Sequence, residues 1–145
     1  MILRNKKYTG TVIKSAQVVS DIFAAILRRK PKFERSKEHL WTIGLDRRNR
    51  IVYIDQISIG GLHGVAAVPR EIFRMAIHKG LSGLILVHNH CSQVAEPSEQ
   101  DKSLTLRVRE GGQILGVELL DHVIVTEDVK EFYSFRDRDW KEAGM

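Results

Sequence analysis

The chain has 145 residues, 43% hydrophobic and 28% charged, which suits one globular domain with a true core; no apolar run reaches the ~18 residues of a membrane span. The opening Met1-Ile2-Leu3-Arg4-Asn5-Lys6-Lys7 lacks the apolar core of a signal peptide, and the single cysteine, Cys91, excludes an internal disulfide framework, so a cytoplasmic protein is expected. The net charge of +5 is uneven: residues 1–50 carry 13 Lys/Arg against 4 Asp/Glu (+9), and the rest carry 10 against 14 (−4). The clusters Arg28-Arg29-Lys30, Lys32 and Arg47-Arg48-Asn49-Arg50 are either a solvated face or a surface for an acidic partner such as DNA. No glycine-rich phosphate loop, zinc-finger spacing or RNA-binding aromatic motif accompanies them.

In chain order, Ala16, Val19, Ile22, Phe23, Ile26 and Leu27 recur at helical spacing, predicting a helix over 15–30 that Pro31 stops. Residues 32–37 read as a charged connector. Leu40 to Leu45 and Ile51 to Ser58 predict a hairpin around Asp46 to Arg50. Gly60, Gly61 and Gly64 precede an apolar segment, 65–68. Pro69 is suited to the first turn of a helix whose buried stripe would be Ile72, Phe73, Ala76 and Ile77, with Gly80 as its end. Leu84-Ile85-Leu86-Val87 predicts a buried strand running into His88, and 89–97 a loop. Ser98 can cap the next helix, with Asp101 three residues on as in a capping box; Gly111-Gly112 would end that helix. Val117 to Thr126 reads as a strand interrupted by Asp121-His122, followed by a polar tail with Phe132, Tyr133, Phe135 and Trp140. Alternating helices and strands imply an α/β sheet with helices on its faces.

The chemistry concentrates in His88-Asn89-His90 and Asp101, an H-x-H-x10-D array. On a strand, His88 and His90 point to the same side, and Asp101 starts a helix, so three ligands can converge. Two imidazoles and one carboxylate, with a fourth position left for water, are the donor set of a catalytic zinc. Such a site needs a separate carboxylate as base; Glu38, at the start of the Leu40-Trp41-Thr42-Ile43 strand, ranks slightly ahead of Glu71 and Glu96. Ser98 can cap its helix, donate to an oxyanion, or do both. Asn89, alternating with the histidines, is expected to fix the loop rather than bind metal.

Glu38, His88-x-His90 and Ser98-x-x-Asp101 together resemble the JAMM motif of the MPN/JAB metalloprotease superfamily. Glu38-His39-Leu40, Pro69-Arg70-Glu71, Pro97-Ser98, Leu120-Asp121-His122-Val123-Ile124 and Tyr133-Ser134-Phe135 narrow the resemblance to the bacterial RadC family, from about residue 14 to about residue 136. The resemblance implies a cytidine-deaminase-like three-layer fold, with a mixed sheet between helices, as one domain over 1–145 and a less ordered segment at 1–13. It implies one zinc ion on His88, His90 and Asp101, Glu38 as general acid/base and Ser98 as oxyanion stabiliser. Its expected substrates are peptides or ubiquitin-like conjugates; no membrane partner is expected, and the oligomeric state is open. Two departures stand out. Family members usually read His-Asn-His-Pro-Ser-Gly, where this chain has His88-Asn89-His90-Cys91-Ser92-Gln93, and Val94 stands where an acidic residue is usual. By strand alternation Cys91 should point away from the metal. Longer members also carry an N-terminal helical region resembling helix-hairpin-helix modules, which is not expected in this sequence. Three functions compete: a zinc metallohydrolase of peptide or isopeptide bonds, a nucleic-acid-associated repair factor, and a catalytically silent scaffold, against which the intact motif argues.

Overall fold

The computed structural model describes residues 6–59, 68–92, 94–126, 128 and 131–140, with the side chains of 58 and 59 left out. The elements are α1 (Ala16–Arg28), α2 (Lys32–Arg35), β1 (His39–Leu45), β2 (Ile51–Ile59), α3 (Pro69–His78), β3 (Gly83–His90), α4 (Glu99–Leu115), β4 (Glu118–Thr126) and β5 (Phe132–Ser134), closed by one π-helical turn, Arg136–Trp140. The strands form one mixed sheet in the order β2-β1-β3-β4-β5, with only β3 and β4 parallel. This is the expected α/β arrangement, and it follows from strand alternation. Trp41, Ile43, Leu45, Ile85, Val87, Val123 and Val125 pack with the apolar stripe of α1 on one face. Leu40, Leu84, Leu86, Leu119 and Ile124 pack with α3 and α4 residues such as Phe73, Leu104 and Val108 on the other. Both faces are covered, which is why β1 and β3 are almost continuously apolar.

The β1–β2 hairpin turns where expected. The Asp46 carboxylate accepts from the N–H groups of Arg48 (2.8 Å) and Arg50 (3.0 Å), and Asn49 takes a left-handed φ of 60° that asparagine tolerates. Helix α3 begins with Pro69 in its first turn, and at its end the Leu81 N–H reaches back to the Ala76 carbonyl (2.8 Å) through Gly80. The segment 65–68 falls outside the described residues except for Val68, as do Gly60, Gly61 and Gly64.

Five expectations are corrected. The 32–37 connector contains a one-turn helix, α2, started by Pro31. Ile77 is 52% exposed: it lies about 100° round the helix from Ala76, so the buried stripe of α3 is narrower than expected. The 89–97 loop begins later, because β3 runs on through Asn89 and His90 to pair with Val125 and Thr126. Asp121-His122 does not interrupt β4; both residues are buried within the strand, beside a bulge where Leu84 pairs Leu119 but Ile85 pairs Asp121. The tail forms β5 and a buried cap rather than a polar extension: Phe135 and Trp140 join the core on the α4 face.

The end of α4 is corrected as well. The helix passes through Gly111 and Gly112 and stops at Gly116, whose φ is 73°, with the Val117 N–H returning to the Gly112 carbonyl (3.0 Å). Gly112 is there for close approach, since a Cβ would sit 2.3 Å from the Val117 carbonyl oxygen, whereas a Cβ at Gly111 would meet only the Phe73 ring at 3.4 Å. Gly112→Ala is therefore expected to destabilise the fold by about 1–3 kcal/mol despite alanine's helix preference. Gly111→Ala should be neutral or stabilising by up to ~1 kcal/mol. Urea denaturation of both variants checks this, and equal effects at the two positions would contradict it.

Candidate metal centre

His88 and His90 sit at the C-terminal end of β3 on its even-numbered face, the face that also presents Leu84 and Leu86 to α4. β1 runs antiparallel beside β3, with Leu40 opposite His88. Glu38, just ahead of β1 and two residues before Leu40, brings its carboxylate to the same face, against His88. Asp101 arrives from the other layer, in the first turn of α4. Ser98 caps this helix: its hydroxyl accepts from the Asp101 N–H (3.1 Å), and the Asp101 carboxylate accepts from the Ser98 N–H (2.8 Å). The expected capping box is present, and it aims Asp101 back at the sheet.

The result is a compact group. One potential ligand atom each from His88, His90 and Asp101 lies within 4.8 Å of the others, the one such trio found among the described residues. His90 Nε2 is 2.9 Å from Asp101 Oδ2, His88 Nδ1 is 3.2 Å from Asp101 Oδ1, and His88 Nε2 is 3.4 Å from a Glu38 carboxylate oxygen. Asp101 is fully buried and His88 nearly so, whereas Glu38 is about one-third exposed, at 34%. Both His88 nitrogens and Asp101 Oδ1 are buried without a hydrogen-bond partner. Buried lone-pair atoms converging in this way fit a divalent cation, so a metal can be held here. The other nitrogen of His90 supports that fit. Its Nδ1 lies 3.1 Å from the Val94 carbonyl, which can only accept, so Nδ1 carries a proton and the ring is fixed with Nε2 facing Asp101.

The electrostatics agree. Burial alone would raise the Asp101 pKa, but the His88 and His90 imidazoles and the Ser98 N–H outweigh it and hold the carboxyl far below the usual range. Burial disfavours charge on His88, yet Asp101 and Glu38 reverse that and raise its affinity for positive charge. Contact with His88 lowers the Glu38 pKa against the opposing effect of burial. The two carboxylates and the imidazole thus stabilise one another's charges across one buried point.

The alternatives to Glu38 do not reach this point. Glu71 pairs with Arg70 and Arg74 on α3, and Glu96 is an exposed residue lining a separate groove. Cys91 is turned away from the trio, as alternation predicts, with its thiol donating to the Ser36 carbonyl (2.9 Å). Asn89 also points away from the trio, but its side chain holds the backbone on either side of Glu38 rather than the loop after itself.

Sequence reasoning missed the support beneath Asp101. Thr105, one turn on, donates to the Asp101 carbonyl (2.7 Å), and its oxygen is 2.6 Å from His122 Nδ1 on β4. The hydroxyl proton is already committed, so His122 Nδ1 donates and ties α4 to the sheet. Phe135 stacks on His122 at 5.0 Å. The one available signal was a histidine inside an otherwise apolar strand.

The comparisons with known proteins cover the stretch that contains these residues. The family model described as a RadC-like JAB domain matches residues 13–140. A "UPF0758 protein" of Chlorobium chlorochromatii is 36% identical over 135 residues, 93% of this chain and 59% of the relative. One of Chlorobaculum parvum is 37% identical over 134 residues, 92% of this chain and 59% of the relative. One of Flavobacterium johnsoniae is 34% identical over 135 residues, 93% and 58%. The chain therefore spans less than two thirds of the length of these relatives.

Burial holds the His122 pKa down to about 3, from an ordinary 6.5. The unfolded chain takes up a proton below pH 6.5 that the folded chain refuses until about pH 3, so stability is lost as pH falls through that window. His122→Gln is expected to flatten this part of the profile. Urea midpoints of both proteins between pH 7 and pH 4 check it; the same fall in both would exclude His122 as its source.

Proposed function

The chain belongs to the RadC-like JAB domain family, and from that premise and the geometry of the trio we propose that it is a zinc metallohydrolase cutting peptide or isopeptide bonds. The observation that carries the proposal is the convergence of His88, His90 and Asp101 on one buried point with the Glu38 carboxylate beside it. His88, His90 and Asp101 would hold one ion. Zinc at such a site supplies Lewis acidity and brings the pKa of a coordinated water to near 7.

The residues divide the remaining work. Glu38 is partly exposed and ionised, so it can accept a proton from an attacking water and pass it to the leaving amine. Ser98 is exposed and uses an oxygen lone pair for its cap, which leaves the hydroxyl proton to donate to a developing oxyanion. Its two candidate roles are thus compatible. Asp101 stays ionised and is held by the capping box, so the site keeps its negative charge through turnover. His90 is oriented by the Val94 carbonyl. Cytoplasmic residence, with a peptide or a ubiquitin-like conjugate as substrate, completes the proposal.

Glu38→Gln is expected to keep one zinc per chain and lose roughly 10²–10⁴-fold in turnover of a panel of peptides and ubiquitin-like fusions. Metal analysis and a hydrolysis assay on both proteins check this, and equal turnover would overturn the assignment. A preparation made without chelator that holds under about a tenth of an equivalent of metal would favour the silent scaffold.

A second reading rests on charge: Arg28, Arg29 and Lys32 are exposed at and just beyond the end of α1, and Arg47, Arg48 and Arg50 are exposed at the hairpin. In this reading DNA binds the basic N-terminal third, with an affinity that falls steeply as salt rises. An electrophoretic shift with single- and double-stranded DNA tests it; no complex at moderate salt ends it.

A further inference from the structure

β3 is two-sided at its end. Its even residues, His88 and His90, supply two members of the metal trio, while Asn89 points to the opposite face. There the Asn89 side chain makes two hydrogen bonds to the start of β1. Its Oδ1 accepts from the His39 N–H (2.5 Å), and its Nδ2 donates to the Lys37 carbonyl (3.0 Å). These two backbone groups flank one residue, Glu38. Asn89 is fully buried, and its amide orientation is fixed, because an N–H must meet oxygen and a carbonyl must meet the NH₂. A carboxylate would repel the Lys37 carbonyl, and a hydroxyl is too short to reach both groups. Next along the same side, the Cys91 thiol donates to the Ser36 carbonyl (2.9 Å), holding the residue before Lys37.

We propose that Asn89 is the positioning residue for Glu38: it clamps the backbone on both sides of the acid/base and so sets the carboxylate beside the metal trio. The segment needs such a clamp. The register of β1 with β2 starts at His39–Ile59 and that with β3 only at Leu40–His88, so neither ladder includes Glu38 and the β3 side of His39 has no ladder partner. One step beyond that register, Asn89 faces His39 and substitutes its side chain for the missing backbone partner. The ligands and the acid/base are thereby set by adjacent residues of one strand, on its two faces. The clamp rests on the reading of Glu38 as the acid/base, and its test separates the two.

Cobalt(II) loaded in place of zinc provides the probe, because its visible spectrum responds to groups hydrogen-bonded around the ion. Asn89→Ala is expected to bind one cobalt within threefold of the wild-type affinity, while its spectrum matches that of Glu38→Ala rather than wild type. In the metal-free protein, hydrogen exchange at the His39 amide should rise at least tenfold. Asn89→Asp keeps the acceptor for His39 and loses the donor to Lys37, so it should fall between the two; it carries the test if Asn89→Ala does not melt cooperatively. A wild-type spectrum, or wild-type His39 exchange, in the variants would overturn the clamp. If Glu38→Ala itself leaves the cobalt spectrum unchanged, the acid/base reading fails instead, and His39 exchange alone decides the clamp.

Discussion

A carboxylate without solvent exposure is costly unless its charge is met, and Asp101 is such a group. Its neighbours meet it from three directions. The Ser98 N–H and the N-terminal end of α4 supply positive partial charge from the helix, and His88 and His90 supply imidazole nitrogens from the sheet. The helix layer and the sheet layer are therefore joined through one buried charge. Thr105 and His122 repeat the connection one turn deeper with neutral partners. A cation at the trio would strengthen the junction, so metal binding there would be coupled to the seating of α4 on the sheet.

Most of the fold was legible because it is periodic. The stripe of α1 and the apolar runs of β1 and β3 reflect burial on one helical face or both sheet faces, and periodicity reports burial directly. The site was legible for the same reason. Two histidines two residues apart at a strand end must share a face, and a capping box must aim its third residue back at the helix start. The family resemblance then singled out Glu38, which spacing alone had ranked only narrowly above Glu71 and Glu96. The structure supplies what spacing lacked, a Glu38 carboxylate oxygen 3.4 Å from His88 Nε2.

The misread parts are those where a local signal has a tertiary cause. Gly112 looks like a helix terminator, but it is small because the Val117 carbonyl passes close to it. Asp121 looks like a break in an apolar strand, but it is a buried hub. Its carboxylate accepts from the Ser134 hydroxyl (2.7 Å) and from the N–H groups of His122 (2.7 Å) and Arg136 (3.0 Å), fastening β5 and the closing turn to β4. The bulge beside it lets Leu119 and His122, an odd number of residues apart, face the same layer. Asn89 belongs with these cases, since its role depends on a strand fifty residues away.

The loop that departs from the usual family sequence can now be weighed by contact. Cys91 holds Ser36 through its thiol, and the Ser92 hydroxyl lies 3.3 Å from both the N–H and the carbonyl oxygen of Val94. The contact that orients His90 comes from the backbone carbonyl of Val94, which any residue at that position supplies. The Val94 side chain itself is 55% exposed. It borders a groove of about 490 Å³ whose other walls include Ala95, Glu96, Phe132, Tyr133 and Arg138. Replacing an acidic side chain with valine there leaves the ligand geometry alone and makes the groove wall less acidic and more apolar. Val94 thus alters a groove wall and leaves the backbone contact to His90 in place, while Cys91 adds a thiol contact to Ser36 that a proline could not make.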